Sequence, residues 1–206
     1  LGRQPPLTGR VSGATPGVTG GDQNVFSSKT RLERAGYDDE TVKAASGLLE
    51  RLYRYYQDGS GRDEVAKELE AAKEKPWFHD AIFQRLLFLP GADLPEDGHP
   101  YWKPHTPDPS EVWTQVRVPT LAMWGALDGN VPVERSREVL QTALLEAGNT
   151  DFELLVFPQA GHGIWLEREP DAPWDWPRQA PGYHAAIVQW VSEHIGKHDD
   201  WARKRP

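Results

Sequence analysis

Two short apolar runs, joined by a stretch of helical periodicity, constrain this chain more than any other feature. Val118-Pro119-Thr120-Leu121-Ala122-Met123-Trp124-Gly125 reads as a short buried strand running into a loop. Phe152 to Phe157 reads as a second strand. Between them, Pro132 to Ala147 puts Val133, Ser136, Val139, Leu140, Ala143 and Leu144 on one inward helical face. Tyr183 to Ile195 repeats the helical pattern with Ile187, Val188, Trp190 and Val191. Strands alternating with helices form a parallel sheet, because a parallel return needs a crossover long enough to hold a helix.

Upstream the pattern differs. Residues 1–24 read as loop with one short strand near Leu7 to Ser12, and turn signals fall at Thr15-Pro16-Gly17 and Gly20-Gly21. A short helix is expected from Ser27 to Ala35, stopped by Gly36. Asp38 or Asp39 can cap the next, whose Val42, Ala45, Leu49, Leu52, Tyr53 and Tyr56 share a face and which ends at Asp58-Gly59-Ser60-Gly61. A third helix runs from Arg62 to Glu74 and a fourth follows Pro76. The expected order is strand, four helices, loop, strand, helix, strand, helix. The fold class is α/β, with a helical block inserted into a parallel sheet. Its expected domains are residues 1–24 (loop and one core strand), 25–110 (helical cap) and 111–206 (sheet core).

Charge and composition exclude several functions. The net charge is −8 with no basic stripe, so no nucleic-acid partner is expected. The absence of cysteine removes disulfides and thiolate metal sites without fixing the compartment. No apolar run reaches the length of a membrane span, so a soluble chain with no membrane partner is expected, the cytoplasm being slightly favoured. Nine tryptophans are many for this length and can line an apolar pocket.

Parallel sheets carry functional groups just past the carboxyl ends of their strands. Two loops here qualify: Gly125-Ala126-Leu127-Asp128-Gly129-Asn130-Val131-Pro132, and Pro158-Gln159-Ala160-Gly161-His162-Gly163. Both leave the same sheet edge. A carboxylate beside an imidazole fixes its tautomer and stabilises the imidazolium formed when the ring takes a proton. Asp128 read blandly is a turn aspartate, and His162 a loop histidine packed under the last helix.

"PTLAMWGALDGNVPVERS" and "VFPQAGHGI" resemble the final strands of the α/β-hydrolase superfamily, where a buried strand, Gly-x-x-Asp-x-x-Val-Pro, a helix, a strand and Gly-His follow in order. The match falls on Gly125, Asp128, Val131, Pro132, Gly161 and His162. The helical block, with "GDQN" before it and "PWF" within it, looks like the cap of proline iminopeptidase and acyl-peptidase type members. The resemblance implies the C-terminal portion of an α/β-hydrolase sheet with an inserted cap. It implies the triad order Ser…Asp…His, with Asp128 the acid and His162 the general base. The nucleophile departs from the pattern: none of the eight serines stands in Gly-x-Ser-x-Gly. Ser12 has Arg10 and Ala14 at those places, and Ser60 has Asp58 and Arg62. The serine is therefore expected upstream of Leu1.

The expected activity is cleavage of small ester or amide substrates, the cap limiting their size, with no cofactor. Trp77, Phe78, Trp102 and Trp165 are the expected substrate-binding side chains, although each alone also reads as ordinary packing. Trp174 and Trp176 are read as clamping the last helix. No metal is expected: His194 and His198, four apart, form a possible ligand pair, but such residues more often answer the negative end of a helix. The rival reading is a catalytically incomplete remnant that serves as a binding module. Half a parallel sheet exposes an apolar edge, so the expected partner is the missing N-terminal half or another copy of the chain.

Overall fold

The computed structural model describes residues 9–83, 94, 96 and 108–195. They fall into two compact units: a sheet unit (9–17, 110–128 and 133–195) and a helical unit (those within 18–109, together with 129–132).

The sheet unit has three parallel strands in the order β1 (Arg10–Gly13), β2 (Thr120–Gly125), β3 (Phe152–Phe157). In register, Ser12 stands beside Ala122, and Gly125 beside Phe157. β2 is central and buried at all six positions, which is why its sequence shows an unbroken apolar run. A helix, Val133–Glu146, crosses from β2 to β3 and buries Val133, Ser136, Leu140, Ala143 and Leu144. It stops at Gly148, whose φ of 72° an L side chain resists. Asn149, next in the chain, donates through Nδ2 to the Val116 and Val118 carbonyls, tying this exit to the start of β2. The last helix, Tyr183–Ile195, brings Trp190 into a core with Leu121, Met123, Ala160, Ile164 and Ala180. The architecture is a mixed α/β one, a parallel sheet with helices, as the alternation of strands and helices implied.

The helical unit is built from α1 (Gly20–Arg34), α2 (Asp39–Asp58) and α3 (Arg62–Ala72), followed by a turn at Pro76–Phe78 that widens into a π-type turn over His79–Phe83. α2 buries all six residues of its expected face, and Leu48 and Tyr55 besides. Its cap is Asp38, whose carboxylate accepts from the Thr41 amide; that backbone hydrogen bond holds the carboxyl below its ordinary value. α1 differs from expectation. It starts at Gly20, not near Ser27, with the Thr19 hydroxyl accepting from the Asp22 amide. Gly20-Gly21 is thus the first turn of a helix. A β-carbon on Gly21 would come within 3.2 Å of Tyr53 Cβ, so this glycine serves close packing of α1 on α2.

Candidate active site

Gly125 ends β2 at a point where no side chain fits. A β-carbon there would lie 2.2 Å from the Ala160 carbonyl oxygen and 2.3 Å from that of Gly161. The loops after β2 and β3 therefore touch through backbone. The Ala126 amide donates to the Phe157 carbonyl at 2.9 Å and the Leu127 amide to the Ala160 carbonyl at 2.8 Å. The Asp128 amide turns back to the Gly125 carbonyl at 3.1 Å, and the acid's side chain is fully buried.

The second loop is closed by its own backbone. The Gly161 amide donates to the Trp165 carbonyl at 2.7 Å and the Ile164 amide to the Gly161 carbonyl at 3.1 Å. Gly163 has φ 71° and Ile164 φ 63°. A left-handed conformation strains a β-branched residue, at a cost on the order of 1–3 kcal/mol. Burial of the Ile164 side chain in the sheet core, and its carbonyl accepting from the Ala180 amide at 3.0 Å, hold it there.

These turns put His162 Nδ1 at 3.0 Å from Asp128 Oδ2 and 3.1 Å from Oδ1. A carboxylate only accepts, so it selects the tautomer with the proton on Nδ1 and leaves the Nε2 lone pair able to take a proton. The imidazole is half-exposed while its partner is sealed from water. The pair can thus accept a proton from an external group and hold the resulting charge.

The sequence profile of the prolyl oligopeptidase family matches residues 78–197, more than half of the chain. The chain belongs to the prolyl oligopeptidase family. It is similar over 97 residues (30% identity, 43% of this chain and 31% of the relative) to a protein of Escherichia coli O157:H7 named "Putative carboxymethylenebutenolidase". Proteins of the same name match from Yersinia pestis (25% over 126 residues, 57% of this chain and 36% of the relative) and from Escherichia coli K12 (29% over 97 residues, 43% and 31%). The chain spans about a third of the length of these curated relatives. No solved structure matches it significantly. Membership of the α/β-hydrolase superfamily follows from the family match and these relatives.

In this member of the prolyl oligopeptidase family the remaining candidates separate. Trp165 is exposed, and its indole lies against Gly163, where a β-carbon would come within 3.0 Å of Cδ1. Phe78 is buried in the core of the helical unit and Trp77 packs partly buried on it. Trp102 and His198 lie outside the described residues. Ser12 is the third residue of β1, before Gly13 at its end, its hydroxyl hydrogen-bonded to that of Thr15. Trp176 is exposed rather than clamping the last helix, and the Arg178 guanidinium lies over both it and Trp174.

Among the described residues no group of three metal-ligating side chains converges, and no helix is long and apolar enough to cross a membrane. His194 uses its two ring nitrogens on the Trp190 carbonyl and Asp151. The strained Ile164 and the contacts of Asn130 carried no local signal, because both depend on partners distant in sequence.

Proposed function

We propose that this chain supplies the acid and the base of a serine hydrolase acting on small ester or amide substrates. The reading is carried by the Asp128–His162 pair: a sealed carboxylate at 3.0 Å from a half-exposed imidazole, on two loops locked at one sheet edge. An upstream serine attacks the substrate carbonyl, and His162 Nε2 takes the hydroxyl proton. Asp128 stabilises the imidazolium, which then protonates the leaving group. The relatives' name contains a butenolide, a cyclic ester, and the family's name a peptide; both bonds are opened by attack at a carbonyl carbon. Trp165, exposed beside the base, is proposed to contact the substrate, as are Trp77, Phe78 and Trp102. Residues 25–110 are proposed to act as a cap that limits substrate size, between a first segment over 1–24 and the core over 111–206.

The test is fluorophosphonate labelling of the complete natural protein with ester turnover measured in parallel. Labelling of an upstream serine is expected, with turnover lost in His162→Ala. Turnover that persists in that variant would remove His162 as the base. A complete protein that takes no label supports the binding-module reading instead.

The proposal extends to a partner. Among the described residues β1 pairs on one side only, and Val11 on it is 41% exposed. Another strand, from the rest of the protein or from a second copy, is proposed to cover that edge. Sedimentation velocity on the 206-residue chain should show association that grows with concentration; a single monomeric species throughout the range counts against it.

A further inference from the structure

Trp165 is held more firmly than an exposed side chain needs to be. Its carbonyl accepts from the Gly161 amide at 2.7 Å, and on its other side the residue bridges Gln179 in antiparallel pairing. The residues flanking it are tied as well. The Ile164 carbonyl accepts from the Ala180 amide at 3.0 Å, and the Leu166 amide donates to the Arg178 carbonyl at 2.7 Å. All of these residues belong to the sheet unit. The ring is seated too. A β-carbon on Gly163 would lie 3.0 Å from Cδ1 of Trp165 and 3.1 Å from its Nε1, so the five-membered edge of the indole lies over this glycine. Gly163 directly follows His162. Yet Trp165 stays 46% exposed, and its ring N–H meets no acceptor among the described residues. An indole carries one polar group, and that group only donates. The fold fixes this donor beside the imidazole and leaves its acceptor to come from outside.

We infer that Trp165 recognises the leaving group of the substrate, donating its Nε1 proton to an oxygen acceptor there. The inference rests on reading His162 as the base of a serine hydrolase, and it names the half of the substrate that the indole meets. In that reaction the serine oxygen bonds to the carbonyl carbon, and the acyl half stays on the serine. When the bond to the leaving atom breaks, its electron pair goes to that atom, and His162 Nε2 returns the proton to it. Such a transfer needs hydrogen-bond reach, about 3 Å. The leaving atom therefore has to come up to the imidazole, and the groups it carries extend over the imidazole's neighbours. Gly163 puts no side chain in their way, and the indole edge above it is the surface they meet. The substrate class is esters and amides whose leaving group bears an ether, carbonyl or hydroxyl oxygen a few bonds from the scissile one. Trp165 is a specificity-determining residue in this scheme, and its apolar face adds a flat wall for the same group.

Paired esters that differ by one oxygen test this in the complete natural protein. 2-Methoxyethyl acetate and butyl acetate differ in the leaving group, methyl 3-methoxypropanoate and methyl pentanoate in the acyl group. In each pair an ether oxygen takes the place of a methylene of similar size. The measurement is kcat/KM for wild type, Trp165→Phe and Trp165→Ala. Within a pair the ratio is taken on one preparation, so any unfolded fraction cancels. Trp165→Phe, which keeps a ring and loses the N–H, should lower the preference for 2-methoxyethyl over butyl acetate about fivefold, the equivalent of one hydrogen bond of ordinary net strength. Trp165→Ala should lower that ratio by the same factor, because both variants remove the same donor. The acyl-group ratio should stay within about twofold of wild type in both, since no hydrogen bond is lost on that side. An unchanged leaving-group ratio in Trp165→Phe, or a shift in the acyl-group ratio instead, overturns the inference, and loss of turnover in His162→Ala then leaves the proposed function standing. If the complete protein hydrolyses neither acetate, the substrate class named here is wrong. If His162→Ala still hydrolyses them, the proposed function fails and the inference with it.

Discussion

The sheet unit holds two histidine–aspartate pairs, one at each end of its strands, and both have a nitrogen–oxygen distance of 3.0 Å. At the carboxyl edge the side chain of Asp128 is 0% exposed and that of His162 48%. At the amino edge, just before β3, the order is reversed: His194 is 9% exposed and Asp151 57%. His194 also gives Nδ1 to the Trp190 carbonyl at 2.6 Å and stacks on the Trp190 ring at 4.1 Å. Its ring is fully occupied and sealed, so it fastens the last helix to the start of β3. His162 has one nitrogen held and faces outward. Distance alone does not separate the pair proposed to do chemistry from the one that fastens the fold. What separates them is which partner water can reach and how many ring nitrogens are taken.

The comparison is sharpened most by exchanging the two histidines' fates. His162→Ala in the complete protein should cut ester turnover by about a million-fold, while leaving the unfolding midpoint of the 206-residue chain nearly unchanged. Asp128→Asn should cost about ten-thousand-fold, because an amide no longer selects the tautomer or stabilises the imidazolium. A loss under tenfold in single-turnover kinetics would show that Asp128 does not orient the base. Gly125→Ala attacks the shared support of the Asp128 and His162 loops. It should destabilise the chain by about 3 kcal/mol in urea unfolding, since backbone oxygens already occupy the space of the new methyl group. An unchanged midpoint means that the two loops can part. His194→Ala should cost roughly 2 kcal/mol of stability through its lost hydrogen bonds and ring stack, with kcat retained once folded. Loss of kcat in folded His194→Ala protein would break the distinction drawn between the pairs. The smallest effect is expected for Asp151→Asn, under about 1 kcal/mol, because that carboxylate is mostly in water.

The sheet unit was legible where burial is two-sided. β2, buried at all six positions, announces itself as an apolar run; β3, half-buried with Glu153 exposed, shows as a shorter apolar-rich segment, and the loops behind both carry Asp128 and His162 at the strand ends. α2 was legible for a related reason, since its six expected inward residues repeat with helical period. α1 was misjudged at its start because a glycine pair has two meanings. The torsional freedom that suits a turn and the missing side chain that lets Gly21 sit against Tyr53 are indistinguishable until the second helix is in place. The left-handed Ile164 could not be foreseen either, as nothing in its local sequence favours that conformation. The tie from Ser27 to Asn130 spans 103 residues between ordinary polar side chains, and no spacing rule reaches that far.

The crowding at Gly125 has a practical meaning for anyone reshaping this protein. A library that randomises the His162 loop alone would be screened against a fixed neighbour whose backbone it already touches. Variants that shift the backbone of residues 160 and 161 toward Gly125 would fail by collision before their chemistry was tried. Residues 125–128 and 160–165 are better handled as one cassette, varied jointly or transplanted jointly.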